Sequence, residues 1–274
     1  FKDGDIMKYA LISGAMGGLA QQIINLLKEH NYHIFALDID KNLLDKYSNS
    51  TQVTPFICDI TNDNNLLKVK EKIQAITDQI DLIINFAGIV ILGSTIEIGP
   101  DKVLKLLDIN VMGMYRINQM FADLIIKGQG RIINVSSEYG TLTAVPFHSF
   151  YTMSKHAVEV YNDSLRRELA ALKVKVIKIR PGAFKTKMQT NIESQFNELV
   201  NQTNYFKLPL LKMKNMMTKE LEKAKDTKKI EKVFKKAIFS KHPKIVYNVN
   251  RSFKMKLLSI LPTCLQDFIF KKYF

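Results

Sequence analysis

Short apolar segments alternate with longer helical patterns from Met7 to about Arg180, and this alternation most constrains the fold. Six segments are predicted to be strands: Tyr9–Ser13, His33–Leu37, Val53–Ile57, Leu82–Ile84, Arg131–Val135 and Val174–Ile179. Helical patterns lie between them at about 18–30, 62–78, 101–127 and 150–171. Most of the strands are almost continuously apolar, as expected when helices cover both faces of a sheet. The repeated β-α units therefore predict an α/β fold with a doubly wound parallel sheet.

The pattern changes after Pro181-Gly182. Residues 187–240 resemble two or three helices rich in Met, Phe, Leu and Lys, and Lys244–Asn248 could add a last strand. Residues 253–274 mix large apolar residues with Lys and are predicted to form an amphipathic tail. Because no repeat or low-complexity linker interrupts the series, we expect one domain over 7–252, in which residues 187–240 are a separate helical part, followed by the tail at 253–274.

The positive charge of the chain is concentrated near its end. The 274 residues contain 40 Lys+Arg and 26 Asp+Glu, a net charge of +14. Residues 1–206 contain 22 Lys+Arg and 21 Asp+Glu, whereas residues 207–274 contain 18 Lys+Arg and 5 Asp+Glu. A basic segment of this kind fits an anionic membrane, an acidic substrate, nucleic acid or simply a solvated lysine-rich face. Since no helix-turn-helix, zinc-finger or RNA-reading signature is present, no nucleic-acid partner is predicted.

The two cysteines restrict the class of protein further. Cys58 and Cys264 lie far apart and have no His at ligand spacing, which excludes a disulfide scaffold and a cysteine zinc site. No metal is predicted. The sequence contains neither an apolar run of roughly 18 residues nor a secretory signal pattern. We therefore expect a cytoplasmic protein, or one attached peripherally to a membrane.

A glycine-rich turn follows the first predicted strand, with the sequence Ser13-Gly14-Ala15-Met16-Gly17-Gly18-Leu19-Ala20. Glycines between a strand and a helix let the backbone approach a pyrophosphate at the helix N-terminus. Asp38 ends the second strand, where a carboxylate binds the adenosine ribose and repels a 2′-phosphate. No Arg or Lys stands beside Asp38 in the sequence, so NAD is favoured over NADP. The alternative is a structural turn with a solvent-facing Asp.

Tyr151 and Lys155 are four residues apart, which places them on one face of a helix. A nearby ammonium stabilises a phenolate and lowers the pKa of a tyrosine toward the operating pH. The pair could therefore serve as an acid/base, although a pair at this spacing is also common on exposed helix surfaces.

Several motifs accompany this pair in a fixed order along the β-α series. They are the glycine turn, Asp38, Cys58-Asp59-Ile60, Asn85-Phe86-Ala87-Gly88, Asn110, Ser136-Ser137, Tyr151/Lys155 and Arg180-Pro181-Gly182. With them the sequence resembles the short-chain dehydrogenase/reductase family over nearly its whole length. Within the family, the sequence is most similar to members like the hydroxysteroid and retinol dehydrogenases. The segments that carry this similarity are 130–137, 164–169, 174–176 and 181–186. The resemblance implies a Rossmann-like fold and an NAD-dependent alcohol oxidoreductase.

The resemblance also implies roles for single residues. Tyr151 would be the acid/base, Lys155 would lower its pKa and bind the nicotinamide ribose, and Ser137 would hold the substrate oxygen. Asn110 would position a water that relays protons to Lys155. The cofactor would be bound by Ser13, Gly14, Met16, Gly17, Gly18, Leu19, Asp38, Ile39, Cys58, Asp59, Ile60, Asn85, Ala87, Gly88, Tyr151, Lys155, Pro181, Gly182, Phe184 and Thr186. Among these, Asp59 would meet the adenine, Asn85 and Gly88 the adenosine ribose, and Thr186 the nicotinamide carboxamide.

The sequence departs from the family pattern at three points. Ala20 replaces the third glycine of the turn. Ser137 lies 14 residues before Tyr151, one more than expected, which indicates a longer loop around 141–148 and leaves Ser136 as an alternative. The spacing of Gly14, Gly17 and Ala20 also fits the extended, epimerase-like branch. The motif at 85–88, the Ser and the chain length favour the shorter branch.

The resemblance implies that the segment at about 187–240 is a lid that caps the substrate. The apolar side chains of this lid are Phe196, Leu199, Tyr205, Phe206, Leu208, Leu210, Leu211, Met213, Met216 and Met217. They could line a site for a steroid, retinoid or long-chain alcohol, or they could simply pack the lid helices onto the domain. The tail packs on its own or a neighbouring subunit, or it attaches to an anionic membrane. The resemblance implies a homodimer or homotetramer. An inactive NAD-binding scaffold or a membrane-associated regulatory protein is the alternative function, against which the intact Tyr, Lys, Ser and Asn argue.

Overall fold

The sheet contains seven strands, all parallel, in a computed structural model that describes residues 7–185, 187–221 and 228–272, without the side chains of 187–190 and 219–221. The strands are β1 (Lys8–Ser13), β2 (Tyr32–Asp38), β3 (Val53–Ile57), β4 (Leu82–Asn85), β5 (Arg131–Val135), β6 (Lys175–Pro181) and β7 (Val246–Val249). Their order across the sheet is β3-β2-β1-β4-β5-β6-β7. The predicted doubly wound, Rossmann-like fold is confirmed.

Helices connect and cover the strands within the described residues. They are α1 (Gly18–Lys28), α2 (Asn42–Tyr47), α3 (Asp63–Gln74), α4 (Pro100–Leu107), α5 (Met114–Met120), α6 (Ala122–Lys127), α7 (Ser149–Ala170), α8 (Lys187–Gln202), α9 (Lys207–Leu221), α10 (Lys228–Phe239), α11 (Phe253–Ile260) and α12 (Thr263–Lys271). A π-helical segment, Asp108–Gly113, joins α4 to α5, and a 3₁₀ turn, Glu138–Gly140, follows β5. The short helix α2 is the one that the apolar periodicity did not predict.

Alternating side chains of the buried strands form two core layers. In β1, Ile12 packs into the layer that includes α1 and α10, whereas Leu11 faces the layer that includes α3, α5 and α6. Successive strand residues point to opposite faces of a sheet, so a continuously apolar strand serves both layers at once. This explains why the strands lack the polar alternation of a half-exposed sheet.

The chain direction across the sheet locates a crevice. β2 and β3 lie on one side of β1, and β4 to β7 lie on the other. The connections therefore diverge between β1 and β4, and open α/β sheets bind ligands outside the carboxyl ends of the strands at such a point. The glycine turn, Asp38 and Asn85 all follow or end these strands.

The segment predicted as a lid divides between two layers. Helices α8 and α9 form a third apolar cluster with Phe147 and Tyr151. Helix α10 instead belongs to the main core, where the Phe234 ring stacks on Phe86 with centroids 5.2 Å apart. The lid of the site is thus formed by α8 and α9, and α10 supports the sheet.

The predicted tail forms two helices, α11 and α12, with Pro262 between them. Proline favours a break at this position because it cannot donate the backbone hydrogen bond that a continuing helix needs. Among the described residues no helix combines the length and the apolar character needed to cross a bilayer.

Candidate active site

The glycine turn leaves the N-terminus of α1 open. Gly14 has φ +69°, and a Cβ there would lie 2.7 Å from the backbone nitrogen of Ala87, so a side chain would be strained and crowded. Gly17 is the N-cap of α1, and no described side chain caps the helix or places an acid in its first turn. The first N–H groups of α1 therefore remain available to an anionic ligand such as a pyrophosphate.

Asp38 closes this turn from the end of β2. Its Oδ2 accepts a hydrogen bond from the Met16 N–H at 2.8 Å, and its Oδ1 accepts one from the Asp40 N–H at 3.0 Å. Asp38 and Ile39 line a cavity together with Lys46 of α2. The sequence showed no basic residue beside Asp38, but the fold brings Lys46 into the wall of the same cavity. This cation was missed because α2 was not predicted.

The segment after β3 forms the next part of the cavity wall through Cys58, Asp59 and Ile60. Burial, with the Asp59 charge in second place, raises the pKa of the Cys58 thiol to about 12. Cys58 is therefore a neutral wall residue and not a nucleophile. Asp59 Oδ1 accepts hydrogen bonds from the Thr61 N–H at 2.9 Å and the Thr61 hydroxyl at 2.7 Å.

Asn85 and Ser13 do not reach the cavity, contrary to the prediction for them. The Asn85 amide donates to the side-chain oxygens of Asn118 at 2.8 Å and Asn134 at 2.9 Å. The Ser13 hydroxyl donates to Asn85 Oδ1 at 3.3 Å, and both side chains are buried. Buried amides satisfy one another in this way. Asn85 therefore fixes β4 against its neighbours, and the three residues that follow it in the motif, Phe86, Ala87 and Gly88, line the cavity.

Tyr151 and Ser137 meet at the far end of the cavity. Tyr151 lies in the first turn of α7. Ser137 is the second residue after β5 and the N-cap of the 3₁₀ turn. Burial is the main reason that the pKa of Tyr151 is raised to about 12. A hydrogen bond with Ser137 lowers this pKa, and the charge of Glu138 raises it further. The Ser136 side chain lies beside Glu159 instead. Of the two serines, Ser137 is the one that interacts with the Tyr151 phenol.

Lys155 lies one turn after Tyr151, with its Nζ 5.7 Å from the centroid of the phenol ring. The ammonium donates to the Val135 carbonyl at 3.3 Å. Burial lowers the pKa of Lys155 to about 8, against the charge of Glu159. Burial is thus the largest influence on the pKa of Tyr151, and the lowering of this pKa by Lys155 stays a prediction.

Asn110 sits in the π-helical segment and is completely buried. Its Oδ1 accepts from the Ile89 N–H at 2.8 Å, and its Nδ2 donates to the Ile89 carbonyl at 2.9 Å and the Ser154 hydroxyl at 3.1 Å. A Cβ on Gly88 would lie 3.2 Å from Asn110 Oδ1 and 3.6 Å from Lys155 Nζ. Asn110 does not line the cavity, but it holds the backbone that lies beside Lys155.

A charged cluster supports α7 behind these residues. Glu159 accepts from Arg180 Nε at 2.8 Å and Arg180 Nη2 at 2.7 Å, and pairs with Lys178 at 2.9 Å. Burial raises the pKa of Glu159, but hydrogen bonds from Arg180, Lys178 and Ser136 outweigh it and leave the pKa below its usual value. The fully satisfied carboxylate fixes α7 to β6.

The substrate side of the cavity is formed by parts of the chain that the motifs do not mark. Within the 3₁₀ turn and the following loop, the Tyr139 ring stacks on His148 at 4.6 Å, and His148 lies 5.3 Å from the Tyr151 ring. The tail reaches the loop after this turn, since the Thr143 N–H donates to Ser259 Oγ at 2.9 Å. The tail thus packs on its own chain.

One cavity of about 1370 Å³ joins all these parts. It is larger than the roughly 300–1,000 Å³ of most small-ligand pockets, so it has room for a dinucleotide and a second molecule. Predicted residues that line it are Gly14, Met16, Gly17, Gly18, Leu19, Asp38, Ile39, Cys58, Asp59, Ile60, Ala87, Gly88, Ser137, Tyr151, Lys155, Pro181, Gly182 and Phe184. Predicted residues that do not line it are Ser13, Asn85 and Asn110, and Thr186 lies outside the described residues.

The lid and tail contribute differently from the prediction. Of the predicted lid residues, Met216 and Met217 line the cavity, whereas Phe196, Leu210 and Met213 are buried in the third apolar cluster. The sequence motifs do not mark some wall residues, among them Gln21, Lys46, Ile89, Val90, Ile109, Glu138, Tyr139, Val145, His148, Ile192, Asn250, Arg251, Met255, Leu258, Leu261, Ile269 and Phe270. For the tail residues in this group, the apolar character of the tail was the one signal in the sequence.

Known proteins are similar to this chain in sequence. A family model described as short chain dehydrogenase matches residues 8–197. Short-chain dehydrogenase/reductase family 9C member 7 of Mus musculus is 29% identical over 97% of this chain and 90% of its own. Retinol dehydrogenase 16 of Rattus norvegicus is 28% identical over 96% and 87%.

Two solved structures share the fold. A short chain dehydrogenase from Burkholderia cenocepacia in complex with NADP has a TM-score of 0.72 and 20% identity, over 96% of this chain and 97% of its own. One from Burkholderia phymatum in complex with NAD has a TM-score of 0.74 and 19% identity, over 88% of each chain. Because the family model matches more than half of the residues of this chain, the chain belongs to the short-chain dehydrogenase/reductase family of oxidoreductases.

Proposed function

We propose that this protein is an NAD-dependent oxidoreductase that interconverts an apolar alcohol and the corresponding ketone or aldehyde. The observation that carries the proposal is the single cavity with Asp38 at one end and Tyr151, Ser137 and Lys155 at the other. When bound, the nicotinamide cofactor supplies the hydride acceptor or donor. The residues that fit it are the open N-terminus of α1 for the pyrophosphate and Asp38 for the adenosine ribose.

Tyr151 is proposed as the group that moves the proton. Oxidation requires a base at the alcohol hydroxyl, and reduction requires an acid at the carbonyl oxygen. The Tyr151 phenol can do both, with Ser137 holding the same oxygen through its hydroxyl. Lys155, whose pKa is lowered to about 8, is the nearby group that can exchange a proton near neutral pH. Asn110 is proposed to act by holding Gly88 and Ile89, and the water relay stays a prediction.

An apolar substrate is proposed from the wall that lies beyond Tyr151. Its described side chains include Val145, Ile192, Met216, Met217, Leu258 and Phe270. Met side chains adapt to irregular apolar ligands, and aromatic walls add area for contact. Among the relatives, retinol dehydrogenase 16 bears the name of an apolar alcohol, which agrees with a retinoid, a steroid or a long-chain alcohol here.

The experiment is a panel of alcohols and carbonyl compounds, assayed with NAD(H) and NADP(H) by nicotinamide absorbance. We expect turnover with apolar alcohols and with NAD, and a KM that falls as the apolar part of the alcohol grows. Turnover confined to sugars or small polar alcohols would contradict the apolar substrate. Cofactor binding without turnover on any compound would instead support the inactive scaffold.

A homodimer is proposed from one exposed helix face. Its large apolar side chains are Leu104, Met112, Tyr115, Met153 and Val160. Met153 and Val160 are seven residues apart on α7, and Tyr115 contacts Tyr161 of α7 edge-on at 6.2 Å, so the two helical layers form one surface. A second copy related by a two-fold axis would cover this surface with the same surface of its own.

A further inference from the structure

The tail hairpin, residues 253–271, has apolar side chains on two faces. Met255, Leu258, Ile269 and Phe270 point to the inner side, where they line the cavity. None of the residues of α11 or α12 is buried, although hydrogen bonds such as that from the Thr143 N–H to Ser259 Oγ at 2.9 Å attach the hairpin to the domain. The hairpin is therefore a single thin layer between the cavity and its surroundings.

The outer face of the hairpin carries a second apolar stripe. Phe253, Leu257 and Ile260 are four and three residues apart, the spacing of one helix face, and are 76%, 54% and 70% exposed. On α12, Leu265 and Phe268 are three residues apart and are 47% and 59% exposed, and we count them with the stripe. Single exposed apolar residues need no explanation, but five within one short segment indicate an interaction surface.

The charges around the stripe identify what covers it. In α11, the positions of Lys254 and Lys256 fall on either side of the stripe, each about 60–100° from it around the helix. Lys271 and Lys272 end α12, and the Lys272 ammonium lies 4.9 Å from the centroid of the Phe268 ring. Lysines that flank an apolar stripe suit a surface with an apolar interior and anionic groups at its boundary. A second copy would instead bring like charges together, which is unfavourable.

The stripe also coincides with the mouth of the cavity. Phe253 and Leu257 are largely exposed and yet belong to the cavity wall, so they stand at its rim. An apolar molecule that leaves a lipid layer beside this rim would reach the cavity without crossing water.

From these observations we propose that the outer face of the tail hairpin docks on an anionic lipid surface. The stripe enters the interface and the four lysines contact the headgroups. Delivery of an apolar alcohol from that surface rests on the proposed function; the docking itself does not.

The test is sedimentation of the full chain with lipid vesicles, without cofactor or alcohol. The two vesicle types are phosphatidylcholine alone and phosphatidylcholine with about one quarter phosphatidylserine, at about 0.1 M salt. We expect the protein to sediment with the anionic vesicles, to remain in the supernatant with the neutral ones, and to be released at about 1 M salt.

The variant Ile260→Ser/Leu265→Ser/Phe268→Ser removes three stripe residues that do not line the cavity. We expect its partition onto anionic vesicles to fall by about tenfold or more, because three apolar side chains no longer enter the interface. The matched control is Leu67→Ser/Ile76→Ser/Ile96→Ser, whose residues are 46%, 48% and 71% exposed elsewhere on the surface. The control should bind like the wild type.

A second variant keeps the test informative if the first fails to fold. Replacing Lys254, Lys256, Lys271 and Lys272 by Gln leaves the stripe intact and should abolish the preference for anionic vesicles. Wild-type protein that stays in the supernatant, or that binds neutral vesicles equally, overturns the proposal, as does unchanged binding by a folded stripe variant. Since no turnover is measured, an enzyme without alcohol activity would affect only the proposed function.

Discussion

The Asp38 carboxylate accepts a 2.8 Å hydrogen bond from the Met16 N–H, and this bond joins the glycine turn to the end of β2. Asp38 and Lys46 both line the cavity. One anion and one cation thus stand in the wall of the cavity that is proposed to hold the cofactor.

Asp38→Asn tests which of these two charges determines cofactor choice. The amide oxygen can still accept from Met16, but the negative charge that repels a phosphate is gone. We expect the preference for NAD over NADP in kcat/KM to fall by about tenfold, roughly 1.4 kcal/mol. In Asp38→Asn/Lys46→Met this gain for NADP should disappear. An unaltered cofactor ratio in Asp38→Asn would show that Asp38 does not select the cofactor.

Val160→Asp tests the proposed dimer. Val160 is 73% exposed on α7, and a carboxylate there would be buried without a partner if two copies met at this face. Light scattering should give two or four times the chain mass of 31.4 kDa for the wild type and one chain for the variant. Ile76→Asp, on another surface, should keep the wild-type mass. A wild-type monomer at micromolar concentration would refute the dimer.

Asn118→Ala tests the buried amide network. Asn118 accepts from Asn85 at 2.8 Å, and its amide donates to the Tyr161 hydroxyl at 3.1 Å. Both partners lose a hydrogen bond inside the protein, so we expect the free energy of unfolding to fall by about 2–3 kcal/mol. Urea denaturation measures it, with the exposed Asn201→Ala as the control expected to change it by less than about 0.5 kcal/mol. Equal effects of the two substitutions would exclude a structural role for the network.

His148 predicts a pH dependence of stability. Burial lowers its pKa from 6.5 to about 4, so between these values the unfolded chain binds a proton that the folded chain does not. Its contribution is complete above pH 6.5 and is lost as the pH falls through 4, by about 3 kcal/mol in all.

His148→Phe keeps a ring between Tyr139 and Tyr151 but cannot titrate. Between pH 7.5 and pH 4.5 the wild type should therefore lose about 2–3 kcal/mol more of its free energy of unfolding than the variant. Parallel urea curves at both pH values give this difference. Equal losses in the two proteins would mean that His148 is protonated in the folded state.

The fold could be predicted from the sequence because its signals are local. The strands at 53–57 and 131–135 have the same bounds in the sequence analysis and in the structure, since apolar runs between turn residues mark both. Gly14, Asp38 and Tyr151 were identified by their positions at strand ends and on a helix. The short helix α2 has too few residues for periodicity to show, and Lys46 was missed with it.

Contacts between distant segments could not be predicted. Asn85 turns into the sheet because Asn118 and Asn134 meet it there, which follows from packing and not from spacing. Phe147 adopts φ 62°, a conformation that nothing in its residue type favours. The inner face of the tail became part of the cavity wall through similar long-range contacts, and composition alone showed only that the tail is apolar and basic.

The most direct test of the proposed chemistry compares wild-type protein with Tyr151→Phe, using NAD and an apolar alcohol that the wild type oxidises. Loss of the phenolic proton carrier should lower kcat/KM by about 10²–10⁴-fold, while the Kd for NAD changes by less than about twofold, because the ring and its packing remain. A variant that retains wild-type kcat/KM would contradict the assignment of Tyr151 as the acid/base.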